Sequence, residues 1–188
     1  MKQIVHIRGI VASGKSVALR RVMRRLGGFS KTVCAPEEYI RPAPNPVYVL
    51  GYYSDKTDAG GVDRFALRKG GADYIVNAVE TRLDQGYTVF MEHFRFDQSC
   101  EWARKWMDDG IYVNTIILDT PPEIAYKDWN SRGRSPLHHT LKDSKAHYEC
   151  LQRTKDRLVE YKLPFTVCTR KSIVDTALFQ LTTPVMLQ

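Results

Sequence analysis

Gly9-Ile10-Val11-Ala12-Ser13-Gly14-Lys15-Ser16 fits G-x-x-x-x-G-K-[ST], and its flanks decide what the match means. Before it, Ile4-Val5-His6-Ile7 is a short apolar run that reads as a buried strand. After it, Leu19, Val22, Met23 and Leu26 fall on one face of a helix spanning 15–26. Strand, glycine loop and helix in that order are the setting of a phosphate-binding loop. Gly9 and Gly14 let the backbone turn tightly and lie against an anion. The loop amides and the helix dipole then attract phosphate oxygens. Lys15 is placed to reach the β- and γ-phosphates and the Ser16 hydroxyl to ligate Mg²⁺. Residues Gly9 to Ser16 are therefore the expected nucleotide site, with ATP and Mg²⁺ as its cofactors.

The 188 residues suit one domain, 1–188, and 43% hydrophobic content is enough for a core. No stretch approaches the roughly 18–20 apolar residues of a membrane span, and Met1-Lys2-Gln3 runs straight into the first strand without a signal peptide. Cys34, Cys100, Cys150 and Cys168 are far apart and make no C-x-x-C, which points to free thiols in a reducing cytoplasm. The net charge of +7 suits a polyanionic partner such as DNA or RNA. It equally suits a solvated basic surface. The same choice applies to Arg20, Arg21, Arg24 and Arg25 on the outer face of the first helix, where a solvated face is the favoured reading.

Strand and helix patterns alternate along the chain. Strands are expected at 2–8, 31–34, 47–53, 87–91, 112–118 and 165–168, and helices at 15–26, 71–85, 97–109, 121–130, 143–161 and 172–181. Ala72, Ile75, Val76, Val79 and Leu83 form the inward face of the second of these helices. The stretch from Pro36 to Pro46 is expected to hold neither helix nor central strand. Alternation of this kind gives an α/β fold: a nucleotide-kinase-like parallel sheet flanked by helices, of the P-loop NTPase type. Residues 35–70 read as a substrate-binding insertion and 131–142 as a lid.

Phosphoryl transfer needs more than a phosphate cradle. It needs a metal site, a group for the acceptor's proton and cations for the developing charge. Two strand-end acids compete for the metal. Thr115-Ile116-Ile117-Leu118-Asp119 fits best by letter, and Val89-Phe90-Met91-Glu92 fits best by position, since its strand follows the insertion. Glu92 is favoured as metal ligand beside Ser16, with Asp119 or Thr120 the expected cap of the helix at Pro121. Asp63, in Gly60-Gly61-Val62-Asp63-Arg64, is either an acceptor-side base or an ordinary turn residue. Arg132 and Arg134 read either as lid cations that close over a triphosphate or as an exposed basic loop. His138 and His139 read as lid surface. Tyr39, Tyr48, Tyr52, Tyr53, Phe65, Phe94 and Phe96 crowd the insertion, either for base stacking or for the core.

With these residues in place, the chain resembles the P-loop kinases of tailed bacteriophages that hypermodify thymine. The resemblance rests on Gly9 to Ser16, on Val47-Tyr48-Val49-Leu50-Gly51 followed by Gly60-Gly61-Val62-Asp63, and on Val89-Phe90-Met91-Glu92. It extends through Leu118-Asp119-Thr120-Pro121 to the lid arginines, and departs at His93, where many relatives carry glycine. It implies transfer of phosphate from ATP to 5-hydroxymethyluracil already in DNA, with Lys15 as phosphate clamp and Asp63 and Glu92 as acceptor-side acids. DNA is then the partner, and the infected host's cytoplasm the location. A small-molecule or nucleoside monophosphate kinase of the same fold, and an ATP-binding regulatory protein without transfer chemistry, are the alternatives.

Overall fold

A computed structural model of the chain describes residues 2–31, 38–42, 45–51, 53, 71–93, 99–132 and 139–183. β1 (Gln3–Arg8) leads into α1 (Lys15–Leu26), followed by β2 (Ser30–Lys31), β3 (Glu38–Arg41) and β4 (Val47–Leu50). Then come α2 (Gly71–Asp84), β5 (Thr88–His93), α3 (Ser99–Asp108) and β6 (Tyr112–Leu118). The chain continues with α4 (Pro122–Ser131), α5 (Leu141–Glu160), β7 (Phe165–Cys168) and α6 (Ile173–Thr182).

The strands make one seven-stranded sheet in the order β2-β3-β4-β5-β1-β6-β7. β1 pairs in parallel with both β5 and β6, and β4 with β5 and β6 with β7 are parallel too. Only the β2–β3 and β3–β4 pairs are antiparallel. The fold is thus α/β with a mostly parallel sheet, as expected. β1, the most central parallel strand, has all six residues buried, as a strand covered on both faces must be.

Alternation along the strands splits the interior into two cores. Ile4, Val89, Met91, Val113 and Ile117 face α2, α3, α4 and α5 through Ile75, Val79, Ala103, Trp106, Ala125, Leu151 and Leu158. Val5, Ile7, Phe90, Ile116 and Leu118 face α1 and α6 through Ala18, Leu19, Val22, Ile173 and Ala177. Each apolar side chain of this size removed from water contributes about 1.5–3 kcal/mol, so the helices are held chiefly by these faces.

Three expectations need correcting. The proline-rich stretch does hold a strand: Glu38–Arg41 pairs with β4, because Pro36, Pro42, Pro44 and Pro46 flank the four residues rather than interrupt them. Neither Asp119 nor Thr120 caps α4. Pro121 occupies the cap position with no side-chain hydrogen bond, and proline follows in the first turn. His139 is not surface: it is 4% exposed. Asp63, Arg134, His138, Cys34, Tyr52, Phe65, Phe94, Phe96 and the Ala72 side chain lie outside the described residues. Among the described residues, no helix is long and apolar enough to cross a membrane.

Candidate active site

The reversal of strand order at β1, with β5 on one side and β6 on the other, opens a crevice at the carboxyl ends of the strands. Gly9 to Ser16 spans that end of β1 and enters α1. Gly9 has to be glycine: a Cβ there would lie 2.9 Å from both the Leu118 carbonyl oxygen and Ser13 Oγ. Gly14 sits at the helix N-cap with φ 107°, and Ala12 takes φ 59°, a turn that only glycine adopts at no steric cost. Lys15 is 9% exposed, and its Nζ donates to the carbonyls of Gly9 at 2.8 Å and Ile10 at 3.0 Å. The ammonium is thereby held at the loop.

The loop fits a polyphosphate. α1 has no side-chain cap and no acidic residue in its first turn. Its leading N–H groups are therefore neither consumed nor screened by a carboxylate. Ser13 is fully buried, yet its Oγ has no hydrogen-bond partner among the described residues, a cost met when an anion oxygen accepts from it.

Strand parity decides which acid meets the loop. In β5, Phe90 faces the α1 side and Met91 the opposite side, so Glu92 turns toward α1. Ser16 Oγ donates to Glu92 Oε1 at 2.5 Å, and Glu92 is 1% exposed; a bond this short is characteristic of a hydroxyl on a carboxylate. In β6, Leu118 faces α1, so Asp119 turns to the other face. There it accepts from Lys155 Nζ of α5 at 2.9 Å. The neighbouring Tyr148 hydroxyl is pushed above its usual range, first by burial and then by Asp119. The hydroxyl and carboxylate of Ser16 and Glu92 are hard oxygen donors of the kind a Mg²⁺ ion takes alongside phosphate and water.

The two ends of the segment read as a lid are set by α4 and α5. Arg132 stands immediately after α4. On the far side, Thr140 and Asp143 form a capping box at the start of α5, with Asp143 N donating to Thr140 Oγ1 at 3.2 Å and Thr140 N to Asp143 Oδ2 at 2.7 Å. His139 lies against Trp129 with ring centroids 4.9 Å apart, stacks on His147 at 5.2 Å, and shares a 2.8 Å hydrogen bond with Ser144 Oγ. Burial holds its pKa below the usual imidazole value against the pull of Asp143. Of the aromatics around the insertion, Tyr48 and Tyr53 are buried in opposite cores, Tyr53 with its hydroxyl donating to the Leu50 carbonyl at 3.3 Å. Those two serve packing.

No family model matches the chain. The chain is similar to the 5-hmdU DNA kinase of Pseudomonas phage PaMx11, at 28% identity over 141 residues that cover 70% of this chain and 69% of that protein. It is also similar to the arginine–tRNA ligase of a Nitratiruptor species, at 23% identity over 149 residues covering 74% of this chain and 27% of the ligase. The chain thus spans well under half of that second relative. Among solved structures, the deoxyadenosine kinase of M. mycoides with bound dATP aligns over 96% of this chain and 100% of its own, with a TM-score of 0.48 and 12% identity.

Two arginines next to the loop, one in sequence and one in space, escaped the sequence reading. Arg8, the last residue of β1, is 4% exposed and shares the face of Ile4, away from α1, with Nη1 3.4 Å from Cys100 Sγ and Nε 3.4 Å from His6 Nδ1. Its place directly before Gly9 was available in the sequence as a signal. Arg170 follows β7 and donates to the loop itself, through Nε to the Ser13 carbonyl at 2.7 Å. Nothing local in the sequence marks it.

Proposed function

We propose that this chain is a P-loop phosphotransferase that moves the γ-phosphoryl group of ATP onto the 5-hydroxymethyl group of 5-hydroxymethyluracil in DNA, giving 5-phosphomethyl-deoxyuridine. The observation that carries the reading is the convergence of Lys15, Ser16 and Glu92 at one end of β1, with Ser16 Oγ 2.5 Å from Glu92 Oε1. A buried acid beside the loop serine supplies the metal-holding pair that phosphoryl transfer requires. The likeness to a phage 5-hmdU DNA kinase over 70% of the chain supports the choice of acceptor, and the +7 charge agrees with it.

In this reading the loop amides and Lys15 hold the β- and γ-phosphates. Ser16 and Glu92 would hold Mg²⁺, whose charge would offset that developing on the phosphates. The acceptor hydroxyl oxygen forms the new bond to phosphorus as the bond to the departing ADP oxygen breaks. Asp63 takes the hydroxyl proton, and Arg132 and Arg134 close over the triphosphate and exclude water. A thymine-sized base in a duplex is turned out of the stack to reach the loop.

Binding separates a DNA acceptor from a free nucleotide. Affinity for duplex carrying 5-hydroxymethyluracil is expected to fall steeply with salt, with log K dropping by about 0.9 per decade for each phosphate contacted. Indifference to DNA together with saturable binding of a free nucleoside monophosphate assigns the chain to small-molecule phosphorylation instead.

A further inference from the structure

Arg170 ties together three parts of the molecule that are remote in sequence. Its Nε donates to the Ser13 carbonyl at 2.7 Å, across 157 positions of chain, and its Nη2 to the Ala12 carbonyl at 3.1 Å. Its Nη1 donates to Asp128 Oδ2 on α4. The Ser13 oxygen accepts a second hydrogen bond, 3.3 Å, from Thr120 Oγ1. Arg170 lies close against the loop, since a Cβ on Gly14 would come 3.7 Å from its Nε.

A trans peptide points its C=O and the following N–H in opposite directions. Fixing the Ser13 carbonyl toward Arg170 therefore turns the Gly14 N–H away from it. Ala12 and Gly14 are both in the left-handed region, where a glycine-containing turn has several backbone states of similar energy. A planar guanidinium with donors on all sides holds two adjacent carbonyls and a carboxylate at once, which an ammonium does not. Asp128 lies in the last turn of α4, four residues before Arg132 at its C-cap.

We propose that Arg170 is a positioning residue for nucleotide binding. It holds the outer carbonyls of the phosphate loop so that the Gly14 amide is preset toward the phosphate, and Asp128 couples that clamp to α4, the helix that leads into Arg132. This rests on the loop binding nucleotide, as proposed above.

The test measures equilibrium binding of Mg·ATP, KM for ATP and for the acceptor, and the thermal midpoint for the wild type, Arg170→Lys, Arg170→Ala, Asp128→Asn and the Arg170→Lys/Asp128→Asn double variant. Arg170→Lys keeps the charge and loses the fork. It is expected to weaken Mg·ATP binding by about 10- to 100-fold, the scale on which small misplacements of binding groups act. KM for the acceptor and the thermal midpoint should stay near wild type. Asp128→Asn is expected to weaken ATP binding less, and the double variant no more than Arg170→Lys alone, because both act through one guanidinium. If Arg170→Ala does not fold, the lysine and Asp128 variants still decide. Wild-type ATP affinity in Arg170→Lys, with normal binding by the unaltered protein, overturns the clamp and leaves the kinase reading intact. No ATP binding by the unaltered protein overturns both.

Discussion

Glu92 and Asp119 show how one position of strand parity divides two similar acids. Both close an apolar run at a strand end, and both strands flank β1. Glu92 emerges on the α1 side and meets Ser16; Asp119 emerges on the α5 side and meets Lys155. Counting alternate residues back from each acid was possible from the sequence, whereas the pairing of Asp119 with Lys155, 36 positions away, was not. Glu92→Gln should raise the Mg²⁺ concentration for half-maximal turnover by about tenfold or more. Asp119→Asn should leave that requirement unchanged, and a Mg²⁺ titration of the two variants reads the difference. At the other end of the loop, Gly9→Ala places a methyl group 2.9 Å from the Leu118 carbonyl. Crowding against backbone should cost about 1–3 kcal/mol, read as a lower urea midpoint, and should weaken ATP binding with it.

At the scale of elements, the strand–loop–helix unit at the N-terminus was readable because every cue is local: an apolar run, two glycines and a 3.6-residue repeat. The short β3 was hidden by its flanking prolines, which argued against a helix or a central strand anywhere in that stretch. His139 was misread for a different reason. A histidine within the charged and polar stretch 131–142 looks exposed, and only the packing of α4 on α5 puts it between Trp129 and His147. Its burial has a consequence for pH. The folded form holds His139 below its ordinary pKa, while the unfolded chain titrates near 6.5. Below that pH the unfolded state binds the extra proton, so this contribution to stability is full above about pH 6.5 and declines as pH falls toward the folded pKa. The thermal midpoint should therefore drop between pH 7 and pH 5.5, and His139→Gln should make that slope shallower. An unchanged slope would place the effect on other groups.

For the molecule as a whole, the sheet order puts the loop and Glu92 together at the carboxyl ends of the strands. Basic charge is distributed more widely. On α1, Arg21 and Arg24 are exposed, while Arg25 is paired with Asp175 of α6 at 2.5 Å. Arg21 and Arg24 are thus open to a polyanion, whereas the charge of Arg25 is offset by Asp175. The overall architecture was legible because alternating apolar segments leave few ways to build a covered parallel sheet. The clamp from Arg170 was not, since it joins the two ends of the chain and depends on tertiary placement alone. The acceptor is the least local property of all, and the transfer reaction itself tests it most directly. γ-Labelled ATP is incubated with the protein and either 5-hydroxymethyluracil-containing DNA, matched thymine DNA, or free nucleosides and monophosphates. Label should pass to the 5-hydroxymethyluracil DNA and not to thymine DNA, and Lys15→Ala should lower the rate by at least about 100-fold. Brisk labelling of a free nucleotide with none on the DNA would contradict the account.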